Sequence, residues 1–462
     1  MKQFDKIDLN LLRKYSRQGP RYTSYPPAPL FTPSFGPKEY MDEIERTNSA
    51  GSVSDISLYF HFPFCDTLCY FCGCTMQITH SRDQISEYND YIRKEIDLIA
   101  PKVSKKRKVR QLHWGGGTPS YLNPDEIRSV GQHIRDSFNF SDDIEAGVEV
   151  DPRELTRDHM AAFREAGFNR VSMGVQDFDP KVQKAVNRIQ PESITLDAVR
   201  WCRELGFASL NMDLIYGLPY QTLASFEKTI DKILEIRPDR IAVFHYAHVP
   251  WMKKHQNVLP EDAMPSSEEK LEIFKMSIEK LMAAGYWNIG MDHFALYDDE
   301  LAKAQREHTL YRNFQGYSTK AGCDLYGFGM SAIGQFSDSY QQNVKSIPEY
   351  YKRIDANQPA THVGYRMTAD DHIRKEVVMS IMCDMNLNIP KIEKRFGISF
   401  DTYFEQAMIK LKEFVDDGLV TITAETIQVN GVGRLIIRNI AMCFDAYIES
   451  MMKEKPVFSK TV

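Results

Sequence analysis

Four of the eight cysteines lie within ten residues of one another, in the stretch HFPFCDTLCYFCGC, residues 61–74. Cys65, Cys69 and Cys72 form the pattern CxxxCxxC, and Cys74 follows two positions later. In a reducing compartment so tight a group of thiols indicates metal binding or redox chemistry rather than cross-linking. Zinc sites usually present two separated ligand pairs and ferredoxin clusters four thiolates in another spacing, and neither matches this stretch. Three thiolates on a short loop can hold three irons of a [4Fe-4S] cluster and leave the fourth iron open to a small molecule, to which it can pass an electron.

The composition is that of a globular protein without general affinity for nucleic acid or membranes. The 462 residues are 43% hydrophobic and 26% charged, with a net charge of -6. The N-terminus, MKQFDKIDLN, has no apolar h-region, and no apolar run approaches the length of a membrane span, so we expect a cytoplasmic protein. No coiled-coil repeat demands a partner, so a monomer is the default expectation. The other cysteines are expected to be inert packing residues: Cys202, Cys323, Cys383 and Cys443.

Three segments of the chain repeat one pattern: AGFNRVSM (166–173), LGFASLNM (205–212) and AGYWNIGM (284–291). Each follows a stretch with apolar residues three and four apart, which predicts a helix that ends at a glycine before a buried strand. Further buried strands are predicted at 57–62, 109–115, 147–150 and 240–249. This alternation predicts an α/β fold with parallel strands closed or partly closed into a TIM-like barrel. An open doubly wound sheet is the alternative, although no GxGxxG follows a strand.

The segments on either side of this barrel differ in character. Residues 1–55 are predicted to form an arm rich in Pro and Tyr, residues 56–364 the barrel with its extension, and residues 365–462 a small, mostly helical domain with a β pair. The last segment resembles a winged helix, which raises DNA binding as a function. It carries 13 Lys and Arg against 14 Asp and Glu, a net charge of -1 with no basic stripe. A lid or packing domain is therefore the better interpretation.

Polar and glycine-rich residues gather where the predicted strands end. They are Gly115 to Pro119, Glu149 and Asp151, Gln176 and Asp177, Asp213, His245 and His248, and Asp292 and His293. Each alone has a plain structural explanation, such as a helix cap or a satisfied core histidine. Because barrel chemistry takes place at the carboxyl ends of the strands, their shared placement predicts a site, and the cysteine cluster follows the first strand at the same end.

The spacing of Cys65, Cys69 and Cys72, with Phe71 before the third cysteine, resembles the radical S-adenosylmethionine signature. One family of that superfamily is more similar still. HFPFCDTLCYFCGC, LHWGGGTPSYL, VEVDPRE, NRVSMGVQDF, NMDLIYGLP, GMDHFA, FQGYST and RNIAMCFD together resemble the oxygen-independent coproporphyrinogen III oxidases. The resemblance runs from the RYTSYP arm to the C-terminus, and the arm and Cys74 separate this family from its shorter relatives.

The resemblance implies roles for the residues that match the family's motifs. Cys65, Cys69 and Cys72 are implied as ligands of a [4Fe-4S] cluster, and Tyr59 and Cys74 as catalytic residues. Two S-adenosylmethionine molecules are implied. The first is expected at Tyr59, Gly116, Glu149 and Ile333. The second is expected at Phe71, Gly117, Thr118, Gln176, Arg188, Asp213 and Ala247. Arg188 can pair bidentately with the amino-acid carboxylate, and glycines at 115–117 let the backbone come close to the cofactor.

The implied reaction is the oxidative decarboxylation of two propionates of coproporphyrinogen III to vinyls, which gives protoporphyrinogen IX. A 5′-deoxyadenosyl radical takes a hydrogen from a propionate β-carbon, and CO2 and one electron are then lost. The reaction needs an electron donor for cofactor cleavage and a final acceptor for the electron from the substrate, and the sequence identifies neither. The substrate carries four carboxylates, for which Arg21 and Arg312 are predicted partners; ordinary surface arginines are the alternative. Two rival functions stay open: a haem chaperone of the same superfamily, and a radical enzyme that opens or methylates haem.

Overall fold

The structure, a computed structural model, describes residue 3 and residues 7–49, 54–454 and 458 of the 462. It divides into two compact units. We call residues 29–213 and 322–366 the cysteine unit, and residues 1–28, 214–321 and 367–462 the terminal unit. Each is described by itself, and the division into an arm, a barrel and a C-terminal domain at residues 1–55, 56–364 and 365–462 stays a prediction.

The strands occur along the whole chain. They are β1 (Ile56–Phe62), β2 (Phe64–Cys65), β3 (Gln77–Ile78), β4 (Val109–Gly116), β5 (Phe140–Val150), β6 (Arg170–Gln176), β7 (Ser209–Tyr216), β8 (Arg240–His245), β9 (Tyr286–Gly290), β10 (His293–Leu296), β11 (Tyr311–Asn313), β12 (Gly316–Ser318), β13 (Asp324–Phe328), β14 (Ile333–Gln335), β15 (Ser339–Asn343), β16 (Thr361–Arg366), β17 (Asn386–Asn388), β18 (Val420–Ile422) and β19 (Thr426–Val429).

The α-helices alternate with these strands. They are α1 (Leu9–Lys14), α2 (Pro37–Ser49), α3 (Arg82–Ile99), α4 (Pro124–Ser137), α5 (Arg157–Glu165), α6 (Pro180–Ala185), α7 (Glu192–Glu204), α8 (Leu223–Ile236), α9 (Ser267–Ala283), α10 (Glu300–Arg306), α11 (Ile347–Asp355), α12 (Ala369–Asp384), α13 (Ile389–Phe396), α14 (Phe400–Tyr403), α15 (Glu405–Asp416), α16 (Ile437–Met442) and α17 (Ile448–Glu454). None in the described part of the chain is long and apolar enough to cross a membrane.

The cysteine unit is built on a large, mostly parallel sheet. Its strand order is β16-β15-β14-β13-β1-β4-β5-β6-β7, and β1, β4, β5 and β6 pair in parallel with consecutive neighbours. Strands β4 to β7 therefore follow one another in chain order, whereas a doubly wound sheet reverses its order at a switch point. The α/β fold with parallel strands that the sequence predicts is confirmed, and the winding is that of a (β/α) barrel.

The core of the cysteine unit is aromatic where β1 and β4 meet the helices. Trp114 on β4 is fully buried, with its ring 4.7 Å from that of Phe62 and 5.0 Å from that of Phe168. Strand β1 is buried on both faces at every position except Tyr59, which is typical of a central parallel strand. The packing fixes the carboxyl ends of these strands, from which the site is built.

The three repeated segments form the predicted helix–glycine–strand units. Gly167, Gly206 and Gly285 follow α5, α7 and α9 with φ values of 90°, 70° and 92°. Only glycine enters this left-handed region without a steric cost, which is why the pattern keeps it at the turn.

The third repeat differs from the other two in where its strand lies. Strand β10 pairs antiparallel with both β8 and β9, so β9 keeps the direction of β8 but is separated from it by the reversed strand β10. Met291, with φ of 52°, reverses the chain between β9 and β10. The turn places Asp292 and His293 together in the terminal unit, where α12 to α17 and the small antiparallel sheet β17-β19-β18 also lie.

Candidate active site

The cysteine loop is closed by a short bridge at its base. Strand β2, which contains Cys65, pairs with β3 at Gln77 and Ile78. Within the loop, the Cys72 N–H donates to the Cys69 carbonyl at 3.0 Å, and the Tyr70 N–H donates to the Val186 carbonyl at 3.0 Å. These bonds anchor both ends and the middle of the loop. Three thiols are therefore presented from one tethered segment just after β1.

Each of the three thiols has its own polar neighbours. The Cys65 Sγ lies 3.2 Å from Thr118 Oγ1, and the Cys69 Sγ lies 3.5 Å from an Arg153 nitrogen and 3.6 Å from an Arg188 nitrogen. The Cys72 Sγ accepts from the backbone N–H of Cys74 at 3.4 Å. Burial raises the pKa of Cys65 to about 12, so its thiol keeps its proton until a metal displaces it.

This donor set fits an iron–sulfur cluster better than a single metal ion. Within the part of the chain that the structure describes, no three His, Cys, Asp or Glu side chains converge on a point that could hold one ion. Three thiols on one loop can instead each bind a different iron of a cluster. The N–H groups of Arg153 and Arg188 that point at the Cys69 sulfur would then offset the negative charge that a thiolate-bound cluster carries.

A buried ionic network supports Cys69 from behind. Asp151 Oδ2 lies 2.9 Å from Arg188 Nη1 and 2.7 Å from Arg153 Nη2. Burial would raise the pKa of Asp151, but the charges of Arg188 and Arg153 outweigh it and lower the pKa to about 2. The network borders a cavity of about 410 Å³ that Thr118 also lines. Asp151 was predicted to lie at a strand end. Arg153 was not predicted, although it belongs to the motif VEVDPRE.

Arg188 is already engaged by protein acceptors. Besides Asp151, its Nη2 donates to the Gly174 carbonyl at 2.7 Å and its Nε donates to Gln190 Oε1 at 3.1 Å. Pairing with a cofactor carboxylate, which stays a prediction, requires it to exchange one of these acceptors.

Glu149 stands at the end of β5 as an ionised acceptor. Its Oε2 accepts from the Gly116 N–H at 3.1 Å, and its Oε1 lies 3.2 Å from His113 Nε2. Desolvation would raise the pKa of Glu149, but the His113 and Gly116 contacts more than offset it and leave the pKa below its usual value. Because 46% of its side chain is exposed, the carboxylate can still accept from a ligand. His113 is a further residue that the sequence analysis missed.

Gly116, which ends β4, and Gly117, which follows it, are required by the protein's own packing. Gly116 has φ of 114°, and a Cβ there would lie 2.5 Å from the His61 ring. A Cβ on Gly117 would lie 2.4 Å from the Pro63 carbonyl oxygen. Side chains at either position would push the cysteine loop away from β4.

Tyr59 belongs to a short hydrogen-bonded chain that leads to the cysteine loop. Its hydroxyl lies 3.1 Å from His61 Nδ1, and His61 Nε2 lies 2.8 Å from the Thr75 carbonyl. The carbonyl only accepts, so His61 carries its proton on Nε2, and Nδ1 accepts from the Tyr59 hydroxyl. Burial lowers the pKa of His61, which keeps this neutral form. Tyr59 and His61 are two apart on β1 and so share a face.

The remaining predicted residues lie at several places. Ile333 begins β14, Gln176 ends β6 with φ of 69°, and Phe71 lies on the cysteine loop. Asp213 lies inside β7 rather than at its end, where it accepts from Asn211 at 2.8 Å and from Ser172 at 3.2 Å. In the cysteine unit, the cysteine loop, Thr118 and Glu149 lie at the carboxyl ends of strands. Tyr59 lies in the middle of β1, and Arg188 reaches Asp151 and Cys69 from the loop between α6 and α7. Their ligand roles stay predictions.

Two predicted groups belong to the terminal unit. Ala247 lines a cavity of about 440 Å³ together with His245 and His248. Arg21 and Arg312 lie next to each other, since Arg312 Nε donates to the Arg21 carbonyl at 3.3 Å.

Comparison with known proteins gives matches over nearly the whole chain. Residues 59–233 match the radical SAM superfamily, and residues 367–436 match the HemN C-terminal domain. An oxygen-independent coproporphyrinogen III oxidase of Synechocystis is 42% identical over 99% of this chain and 98% of its own. The oxygen-independent coproporphyrinogen III oxidase of Escherichia coli K12 is 44% identical over 98% of each chain.

A solved structure agrees with the sequence matches. It is coproporphyrinogen III oxidase (HemN) from Escherichia coli, described as a radical SAM enzyme, and it superimposes with a TM-score of 0.91 at 44% identity. The match covers 96% of this chain and all of that one.

Proposed function

This chain belongs to the family of oxygen-independent coproporphyrinogen III oxidases, and from that premise we propose how its own residues serve the reaction. It is a radical SAM oxidoreductase of haem biosynthesis that acts on coproporphyrinogen III and uses an iron–sulfur cluster and S-adenosylmethionine. Two propionates become vinyls with loss of two CO2. The observation that carries the proposal is the tethered loop of three thiols at the carboxyl ends of parallel strands.

The cysteine unit would hold the cluster through Cys65, Cys69 and Cys72. When bound, the cluster and S-adenosylmethionine supply an electron and a carbon-centred radical that can remove a hydrogen atom from a propionate. Arg153 and Arg188 direct N–H groups at the Cys69 sulfur, which stabilises its thiolate and balances negative charge at this corner of the site. Asp151 holds both guanidinium groups in place for that task.

Binding of S-adenosylmethionine would use the polar groups around β1, β4 and β5. Glu149 is an ionised acceptor suited to an ammonium or ribose hydroxyl, and Tyr59, Gly116 and Ile333 would complete this first position. A second molecule would contact Phe71, Gly117, Thr118, Gln176, Arg188, Asp213 and Ala247.

Tyr59 and Cys74 are proposed to act on the reacting groups. His61 accepts from the Tyr59 hydroxyl, which fixes the direction in which its ring and hydroxyl point. His61 also reaches the Thr75 carbonyl, next to Cys74, so one side chain orders both candidates. The enzyme is proposed to be cytoplasmic, since four clustered cysteines are suited to a reducing compartment. It would take electrons from a donor still to be identified.

Anaerobic turnover tests the function. The purified full chain, with its cluster reconstituted, receives reductant, S-adenosylmethionine and either coproporphyrinogen III or haem, and protoporphyrinogen and 5′-deoxyadenosine are quantified together. We expect both products with coproporphyrinogen III, and their ratio measures how many cofactor molecules each double decarboxylation consumes. Deoxyadenosine without protoporphyrinogen would contradict the substrate, and turnover on haem would favour a haem-modifying enzyme.

A further inference from the structure

Arg312 is a buried cation with almost no partners. It lies on β11, opposite Tyr317 of β12, and is 3% exposed. Its guanidinium carbon lies 4.5 Å from the centre of the Tyr317 ring. Its single hydrogen bond is the 3.3 Å contact from Nε to the Arg21 carbonyl, and its buried Nη1 has no acceptor among the described residues. No described carboxylate forms an ion pair with it.

Two more arginines surround the same place in the terminal unit. Arg21 Nη2 lies 2.8 and 2.7 Å from the two oxygens of Asp292, and Arg438 donates to the carbonyls of Gly19 and Pro20. Three guanidinium groups therefore lie near one carboxylate, that of Asp292, with which Arg21 is paired. Burial, together with the charges of Arg21 and Arg312, lowers the pKa of Arg438 to about 9.

Such an arrangement is costly without a ligand. A buried charge normally has a counterion and several hydrogen bonds, because removing it from water otherwise costs several kcal/mol. Arg107 in the cysteine unit illustrates the usual case. It is 1% exposed and binds the Asp324 carboxylate, the Ser54 carbonyl and two hydroxyl groups. Arg312 is similarly buried but has no such carboxylate or hydroxyl partners among the described residues. A ligand is therefore needed to complete its hydrogen bonds and balance its charge.

We infer that Arg312 binds a carboxylate of the substrate, one of the four propionates of coproporphyrinogen III, with Arg21 and Arg438 supplying the surrounding positive charge. A planar guanidinium with unused N–H donors matches a carboxylate in geometry as well as charge. The ligand has a way in, because Arg21 is 35% and His293 24% exposed beside the buried group. Asp292 stays paired with Arg21, so the incoming carboxylate meets the guanidinium of Arg312. This inference rests on the proposed function.

Binding of coproporphyrin III to the full chain, followed by its fluorescence, tests the inference without turnover. We expect Arg312→Met to raise the Kd at least about tenfold, since a buried charge pair is lost, and Arg312→Lys to restore part of the affinity. The control is Arg240→Met, because Arg240 is largely shielded from solvent, with 14% of its side chain exposed, but is paired with Asp299 and Glu300. It should leave the Kd unchanged.

Thermal unfolding of the same variants without ligand separates binding from structure. Arg312→Met should melt at or above the wild-type temperature because it removes an unpaired buried charge, whereas Arg240→Met should melt lower. Porphyrin affinity that is unchanged in Arg312→Met, or a melting temperature that falls as far as in Arg240→Met, would overturn the inference. So would a selective loss of S-adenosylmethionine affinity, which would assign Arg312 to the cofactor's carboxylate. If the wild type makes no protoporphyrinogen, the proposed function fails instead.

Discussion

Arg188 in the cysteine unit and Arg312 in the terminal unit are both buried, at 6% and 3% exposure, but their partners differ. Every nitrogen of Arg188 has a protein acceptor, including Asp151, whereas Arg312 has one long hydrogen bond and no counterion in the described structure. A charge with a full set of partners is suited to hold other groups in position. A charge without them is suited to receive a ligand. We therefore propose that Arg188 holds groups around the cofactor and that Arg312 receives a carboxylate of the substrate.

The largest effect should come from the loop that the paired arginines support. Cys65→Ser removes a proposed cluster ligand, so we expect iron content, visible absorbance and 5′-deoxyadenosine formation to fall to background. Cys202→Ala is the control, since Cys202 is buried in α7 away from any cysteine motif. Full iron content and activity in Cys65→Ser would contradict the assignment of this loop.

Asp151→Asn removes the carboxylate partner of Arg188 and leaves it, like Arg312, a buried cation without a paired carboxylate. Removing one partner of a buried ion pair typically costs about 3–5 kcal/mol, so we expect a loss of this size in the free energy of unfolding by denaturant at pH 7. A loss below about 1 kcal/mol would mean that Arg188 does not depend on its counterion.

The same variant has a defined pH signature. The pKa of Asp151 is lowered to about 2 in the folded protein, below its unfolded value of about 4. The stability that Asp151 contributes is therefore complete above about pH 4 and lost as the pH falls toward 2. The stability difference between the wild type and Asp151→Asn should be flat near neutrality and shrink over that acid range.

Glu95 is the acidic counterpart of Arg312, because it is 3% exposed and no described cation pairs with it. Its oxygens accept from Gly329, Tyr350 and Asn343, but burial still raises its pKa to about 7. With the pKa raised, its favourable contribution is complete below about pH 4 and is lost as the pH rises through 7, a change of about 3 kcal/mol.

Unfolding measured across this pH range tests the prediction for Glu95. Glu95→Gln should remove the change, whereas Glu87→Gln, at an exposed position of the same helix, should keep it. An identical pH profile in wild type and Glu95→Gln would show that the carboxyl group is satisfied without a cation.

The smallest expected effect concerns the redox properties of the cluster. Arg153→Gln removes a cationic N–H donor from the Cys69 sulfur, so the midpoint potential should become more negative by on the order of tens of millivolts. Redox titration followed by electron paramagnetic resonance measures this shift, and Arg157→Gln, on the exposed side of α5, is the control. An unchanged potential would show that Arg153 does not act on the cluster through Cys69 and only forms the ion pair with Asp151.

Local signals in the sequence predicted much of this structure. The glycine of each repeat was predictable because its left-handed turn depends on a single residue type, and the cysteine loop because its ligands are close in sequence. The reversed strand β10 was missed, since the turn that leads into it depends on the left-handed Met291, a residue without a turn preference.

The site was predictable in part for the same reason. Strand ends located Glu149, Gln176 and Asp151, but Arg153 reaches Cys69 from 84 positions away, which no local pattern indicates. Arg312 was predicted as a cation near the substrate, yet its most informative property is the lack of a paired carboxylate among the described residues. Such a lack follows from tertiary packing alone.

The claim that Arg312 serves the substrate and not the cofactor is tested most directly by the coupling ratio of Arg312→Met. This ratio is the amount of protoporphyrinogen formed for each 5′-deoxyadenosine at limiting coproporphyrinogen III. We expect Arg312→Met to cleave the cofactor without substrate at the wild-type rate, while its coupling ratio falls several-fold. Cleavage and product formation that decline together, at an unchanged ratio, would contradict it.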